Sequence, residues 1–233
     1  MIVIYRLWVF LFVLLIPHWA LAQAYGHLFH AYAGLDGLNS TTLNNWMPTE
    51  LGYPSLNNGM MSLGLDGLAV RRNVLIGGQL QVKYGPTVRS QTGNLRPYAV
   101  DILVQTGYVL LRKKGLIMYS TLGAGYGAFG IHLFNNRKQY PGFVPSEVAT
   151  RENVVLIQRG LVGSLALGAD YCLGARKSER TKGLVLGLRL GYDARPASSR
   201  WQANEQAVAD GPTYSASGGF VRVTIGAASL RTN

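Results

Sequence analysis

The sequence predicts an all-β chain: an eight-stranded, antiparallel, up-and-down transmembrane β-barrel. Three observations predict it. Apolar and polar residues alternate with period two through most of the chain after Leu28, glycine supplies 29 of 233 residues, and the connections between alternating runs are by turns long and short. Composition removes the competing classes. At 48% hydrophobic residues with 13 Tyr the chain is too apolar for disorder, and a single Cys excludes a disulfide framework or a Cys-based zinc site.

The elements follow in chain order. Residues Met1 to Ala22 read as a secretory signal peptide, with Arg6 in the charged region, Leu7 to Ile16 unbroken and apolar, and Ala20-Leu21-Ala22 as the cleavage site. Pro17 and His18 end the apolar run short of the roughly 18 to 20 residues that span a bilayer. Residues 23–233 then form one barrel domain. Its strands are expected at Leu28-Asp36, Met60-Val70, Val74-Gly85, Tyr98-Leu111, Leu116-Phe134, Val154-Leu173, Gly183-Arg195 and Gly219-Ser229. Stretches 37–59, 86–97, 135–153 and 196–218 are long loops, whereas 71–73, 112–115 and 174–182 are short turns. A short helix, Thr42 to Leu51, is expected in the first long loop behind the candidate caps Ser40, Thr41 and Thr42. It would lid the mouth or pack on the rim.

The two strand faces differ in chemistry. In Gly183 to Asp193, residues Leu184, Leu186, Leu188, Leu190 and Tyr192 oppose Val185, Gly187, Arg189, Gly191 and Asp193. Small residues crowd the second face, as in Gly123, Gly125, Gly127, Gly160, Ser164, Ala166 and Gly168. The interior of an eight-stranded barrel is just wide enough to be filled by side chains, so small residues must alternate with a few long ones there. The second face is therefore assigned inward, with a polar network of Asp66, Gln79, Gln81, Lys83, Asp101, Gln105, Asp170, Arg189, Asp193 and Arg222. The first face is assigned to lipid, with Tyr84, Tyr98, Tyr108, Tyr126, Tyr171 and Tyr192 as aromatic girdles at headgroup level. A soluble, lipocalin-like carrier would have the faces reversed.

With an export signal, eight alternating strands and the Gly-rich final strand Gly218-Gly219-Phe220-Val221-Arg222-Val223-Thr224-Ile225-Gly226, the chain resembles the small outer-membrane β-barrel proteins of Gram-negative bacteria. It is most similar to the outer-membrane protein β-barrel domain family and more distantly to the OmpA/OmpX type. The resemblance implies location in the bacterial outer membrane, long loops outside the cell, short turns in the periplasm, and a last strand read by the outer-membrane insertion machinery. In that family the last strand usually ends in an aromatic residue. This chain ends Ala228-Ser229-Leu230-Arg231-Thr232-Asn233.

A net charge of +11 and a pI near 10.0 raise the question of nucleic acid, but no basic-aromatic recognition motif accompanies the charge, and export removes the compartment. The short-turn end instead gathers Arg71, Arg72, Arg112, Lys113, Lys114, Arg176, Lys177, Arg180 and Lys182, suited to solvent or to inner-leaflet headgroups. Loop residues Arg89, Arg96, Arg137, Lys138, Arg151 and Arg200 suit the phosphates of outer-membrane lipid and lipopolysaccharide, and the four long loops suit an extracellular ligand.

Some small outer-membrane barrels acylate or deacylate lipid A, chemistry that requires a nucleophile and a base. Only His27, His30 and His132 remain after the signal, and Leu133 and Phe134 follow His132, leaving no His-x-Ser pair. Cys172 has interior parity beside Asp170 and reads as a buried structural thiol. No cofactor or metal motif is found, and no catalytic residue is assigned. The expectation is a structural or surface-interaction protein. The alternatives are a narrow channel for small or apolar solutes, a lipid-modifying enzyme and a soluble carrier.

Overall fold

A computed structural model of the chain describes residues 26–45, 55–56, 58–89, 93–135, 153–173, 180–198, 200–204, 206–208 and 211–231. The expected signal peptide, the helix beyond residue 45, residues 136–152, Arg176 and Lys177 lie outside them. Among the described residues the strands are β1 (Gly26–Gly37), β2 (Gly59–Arg71), β3 (Val74–Tyr84), β4 (Val88–Arg89), β5 (Gly93–Lys113), β6 (Leu116–Asn135), β7 (Asn153–Leu173), β8 (Arg180–Ala194), β9 (Trp201–Ala203), β10 (Gln206–Val208) and β11 (Gly218–Arg231).

Eight of these close a ring, β1-β2-β3-β5-β6-β7-β8-β11, with every neighbouring pair antiparallel and β11 returning to β1. Closure leaves the ring without an edge strand, the arrangement that stops eight amphipathic strands from pairing with other chains. The tight ends follow from local sequence. Arg72 (φ 55°) opens the turn between β2 and β3, and Lys114 (φ 48°) with Gly115 (φ 87°) forms the two-residue turn between β5 and β6. Two successive positive φ values match the twist of flanking strands.

Register sets the shape. Stepping across the ladders from Gly26 leads through Val70, Leu75, Gly107, Thr121, Ala166, Gly191 and Phe220 back to β1 at Asp36, a shear of ten residues. Eight strands with that shear, at a rise of about 3.3 Å per residue, are tilted about 40° on a radius of about 8 Å. Such a cylinder holds side chains rather than a water column. Large interior side chains fit where they face glycine: a Cβ at Gly168 would sit 2.4 Å from the Tyr119 ring, and one at Gly64 would sit 2.3 Å from the Tyr32 hydroxyl.

Between its two ends the outer face is apolar. Leu65, Leu80, Val104, Leu122, Leu165, Leu188, Val223 and Ile225 all point outward, 44–62% exposed in comparable strand positions such as Leu186 and Val223. With the same tilt and register, Tyr108 and Tyr171 lie about 3–7 Å above Gly26 along the barrel axis, and Tyr84, Tyr98, Tyr126 and Tyr192 about 21–32 Å above it. Two aromatic levels thus bound the apolar wall.

The structure corrects two of the loop expectations. Stretch 86–97 is not an open loop, because β5 begins at Gly93 and β4 pairs with it through Val88↔Leu95 and Arg89↔Asn94. Stretch 196–218 holds the β9-β10 hairpin, which pairs with the top of β7. Both segments bury apolar residues rather than expose them, so strand extends above the barrel. Leu95, Phe129, Ile131, Leu156, Trp201 and Tyr214 form an apolar cluster there with Leu38, Leu43 and Leu56 of the first loop. Residues 41–45 are helical, and Ser40 fastens the segment through its hydroxyl, bonded to Asn58 and accepting from Asn44. Full burial of a Leu such as Leu43 contributes about 1.5–3 kcal/mol toward holding this segment against the loop-end cluster.

Candidate functional site

The barrel interior has three layers, each assembled from the inward parity of different strands. At the short-turn end Leu28, Leu68, Val70, Leu75, Val109, Ile117, Cys172 and Val185 pack into an apolar plug. Cys172 is buried there, as its parity indicated. The loop end carries the second apolar cluster described above. Charge lies between the two.

The lower half of the charged layer centres on His30, which sequence reasoning left without a role. Its Nε2 lies 2.9 Å from Asp170 and its Nδ1 3.3 Å from Asp66 and 2.8 Å from Arg189. Arg189 donates to Asp66 at 2.9 Å and to the Tyr119 hydroxyl at 2.8 Å, and Thr224 donates to Asp170. All are buried, with His30 and Asp170 at 0% exposure. An imidazole between two carboxylates would be a catalytic arrangement in a cleft; here it is fully buried between two apolar clusters and links β1, β2, β7 and β8 across the barrel.

In the upper half four ions form a square. Lys83 Nζ contacts Asp36 at 2.8 Å and Asp193 at 2.6 Å, and Arg222 contacts the same two carboxylates at 2.6 and 2.7 Å. Ser164 donates to the other oxygen of Asp193. Arg195 pairs with Asp101, which also accepts from Gln81. Tyr32, Gln79, Gln81 and Gln105 bond one another between the halves, and Gln81 joins them to Asp101 and Asp193 of the upper half. Arg222 also lies over the Phe220 ring, with its guanidinium carbon 3.5 Å from the centroid.

All ten residues assigned to the polar network therefore meet in one layer. Asp36, Arg195, Tyr32, Tyr119 and His30 join them and were missed. A signal existed: His30 shares parity with Asp36, and both fall opposite β2 residues of interior parity, His30 facing Asp66. The six tyrosines stand on the outer face, Tyr98 half-buried and the others exposed. Arg71, Arg72, Arg112, Lys113, Lys114 and Lys182 are exposed at the short-turn end, and Arg180 lies in the first residue of β8. His132 is on the outer face at the loop end, stacked edge-on against Phe134 at 4.3 Å. His27 is exposed at the opposite end. Tyr214, in the loop cluster, has its phenol pushed up by burial.

Every carboxylate among the described residues lies inside the barrel, while the exposed ionic groups there are all basic and confined to the two ends. Two cavities open on the outside. One of about 570 Å³ lies against mid-wall, where Gly67 and Gly78 face each other across β2 and β3 beside Phe29, Leu80 and Ile102. The other, about 510 Å³, lies at the upper rim beside Arg159, Arg195 and Arg200.

No family model matches the sequence, and no curated protein matches it. Among solved structures the chain is similar to the crystal structure of Neisserial surface protein A, at 8% identity and a TM-score of 0.44, over 88% of this chain and 96% of that one. It is also similar to the solid-state NMR structure of outer membrane protein AlkL in DMPC lipid bilayers, at 9% identity and a TM-score of 0.39, over 90% of each. The barrel assignment stands on the strand registers, independently of either.

Proposed function

We propose that this chain is an integral protein of the bacterial outer membrane, exported by a signal peptide cleaved near Ala22, whose role is structural or interactive and is exercised at its loop end. The observation that carries this is the inversion of the barrel: ion pairs fill the inside, and Leu, Val, Ile and Tyr cover the outside. The band between the aromatic levels is about 25 Å tall, the height of an outer-membrane apolar belt. A soluble protein rarely exposes an apolar patch beyond a few hundred Å², and this one encircles the molecule. The closed interior favours anchoring over conduction, since an apolar layer lies across each end of the charged layer.

The test is fractionation followed by gel mobility with and without boiling, because a closed barrel resists detergent until heated. Recovery in the outer-membrane fraction with a heat-dependent shift is the expected result, and recovery as a soluble protein without one would refute the reading. In planar bilayers the purified protein is expected to give no stepwise conductance. Reproducible single-channel steps would favour the narrow-channel alternative.

A further inference from the structure

We propose that the rim crevice beside β7 is a binding site for a phosphate group of an outer-leaflet glycolipid. The wall has a seam at this point. β7 pairs with β8 only from Gly163 downward and with β9 only from Leu156 to Gln158, so Arg159 to Val162 have no ladder partner on that side. The chain leaving β8 is bonded instead to the segment before β11, Arg195 N–H to Ser217 and Ser198 to Tyr214, and a cavity of about 510 Å³ lies between it and β7.

The lining is built for an anion. Arg159, Arg195 and Arg200 all contribute, and among the described residues no carboxylate does. Arg195 is occupied by Asp101, but Arg159 and Arg200 are exposed and meet no carboxylate among the described residues. Gln158 donates to the Ser198 carbonyl at 2.5 Å, tying β7 to the chain leaving β8 so that the crevice keeps its shape. A Cβ at Gly160 would touch nothing within 4 Å, so the floor is open. Guanidinium groups present paired donors that match phosphate oxygens, which is why Arg rather than Lys recognises such groups in fixed geometry.

The position selects a lipid over a free ion. The seam lies about 26–33 Å above Gly26, at the upper aromatic level where headgroups sit, and Leu165 and Leu167 continue down the outer face of β7 below it. A phosphate in the crevice would place attached acyl chains along those leucines. This inference rests on the membrane reading above and adds a defined ligand class to it.

The test uses the full mature chain refolded in mixed micelles carrying bisphosphorylated lipid A, its dephosphorylated form, or inorganic phosphate alone, with bound lipid measured by native mass spectrometry. Wild-type protein should retain the bisphosphorylated form at least about tenfold more strongly than the dephosphorylated one. The double variant R159Q/R200Q should lose that preference while keeping its heat-dependent gel shift, and R72Q at the far end should keep it. Equal retention of both lipids, or unchanged preference in R159Q/R200Q, would overturn the proposal. So would saturation by inorganic phosphate that displaces the lipid, which would assign the crevice to a free anion. Loss of the gel shift in wild-type protein would instead mark failure of the membrane reading.

Discussion

Replacing Arg222 by Met tests whether the ion square holds the upper barrel. Arg222 bridges Asp36 and Asp193 at 2.6 and 2.7 Å, and with Lys83 the four charges sum to zero in a buried site. R222M leaves one carboxylate uncompensated, and breaking a buried pair from one side costs about 3–5 kcal/mol. D36N leaves an excess positive charge and carries a cost of the same kind. In the double variant D36N/R222M the pair Lys83–Asp193 remains neutral, so its loss should fall short of the sum by about 2–3 kcal/mol. Urea unfolding of the refolded barrel in lipid vesicles, followed by gel mobility and tryptophan fluorescence, gives all four corners of the cycle. Additivity within about 0.5 kcal/mol would refute the reasoning, because it would mean that the four groups do not share one electrostatic site.

Other substitutions probe the wall and the mouth. A Cβ at Gly125 would sit 1.9 Å from the Ile102 carbonyl oxygen, whereas at Gly59 it would meet nothing; G125A should therefore cost about 1–3 kcal/mol in the same unfolding assay and G59A less than about 0.5. Leu167 stands near the middle of the apolar band and Met61 near its upper edge, so L167R should cost about 2–4 kcal/mol in vesicles and M61R at most about 1; equal costs would contradict the placement of the band. Trp201 is buried against Phe129 and Tyr214 and donates to the Pro212 carbonyl, so W201A should release the upper segments to protease while the heat-dependent gel shift of the barrel persists.

Period-two alternation made the eight ring strands legible, because each has one lipid-like and one packed face. Their upper ends were harder to read. The fourth strand was expected to begin at Tyr98, yet β5 runs on through Pro97 to Gly93: the Pro97 carbonyl still accepts from Gly85, and the missing N–H breaks no essential pairing near the end of a ladder. Above the barrel, strand residues such as Phe129 and Ile131 pack on loop segments rather than into the cylinder, so their environment depends on Trp201 and Leu43, far away in sequence. The charged core was legible as a set of interior positions but not as pairs. His30 acquires its partners from β2, β7 and β8, and only the ring closure brings these strands to one level. The rim crevice was not legible at all, because it arises where β7 changes partners, which no local pattern records.

The central claim is that the apolar outer face of the barrel contacts lipid and the charged face does not contact water. Single cysteines placed at successive positions from Lys182 to Tyr192 of β8, in a Cys172→Ala background, can be spin-labelled in vesicles and tested for collision with oxygen and with a water-soluble nickel chelate. The account predicts that labels at 184, 186, 188 and 190 collide with oxygen and are shielded from nickel, that the label at 182 shows the reverse, and that inward positions meet neither. Nickel access at the leucine positions would contradict it and would place that face in water.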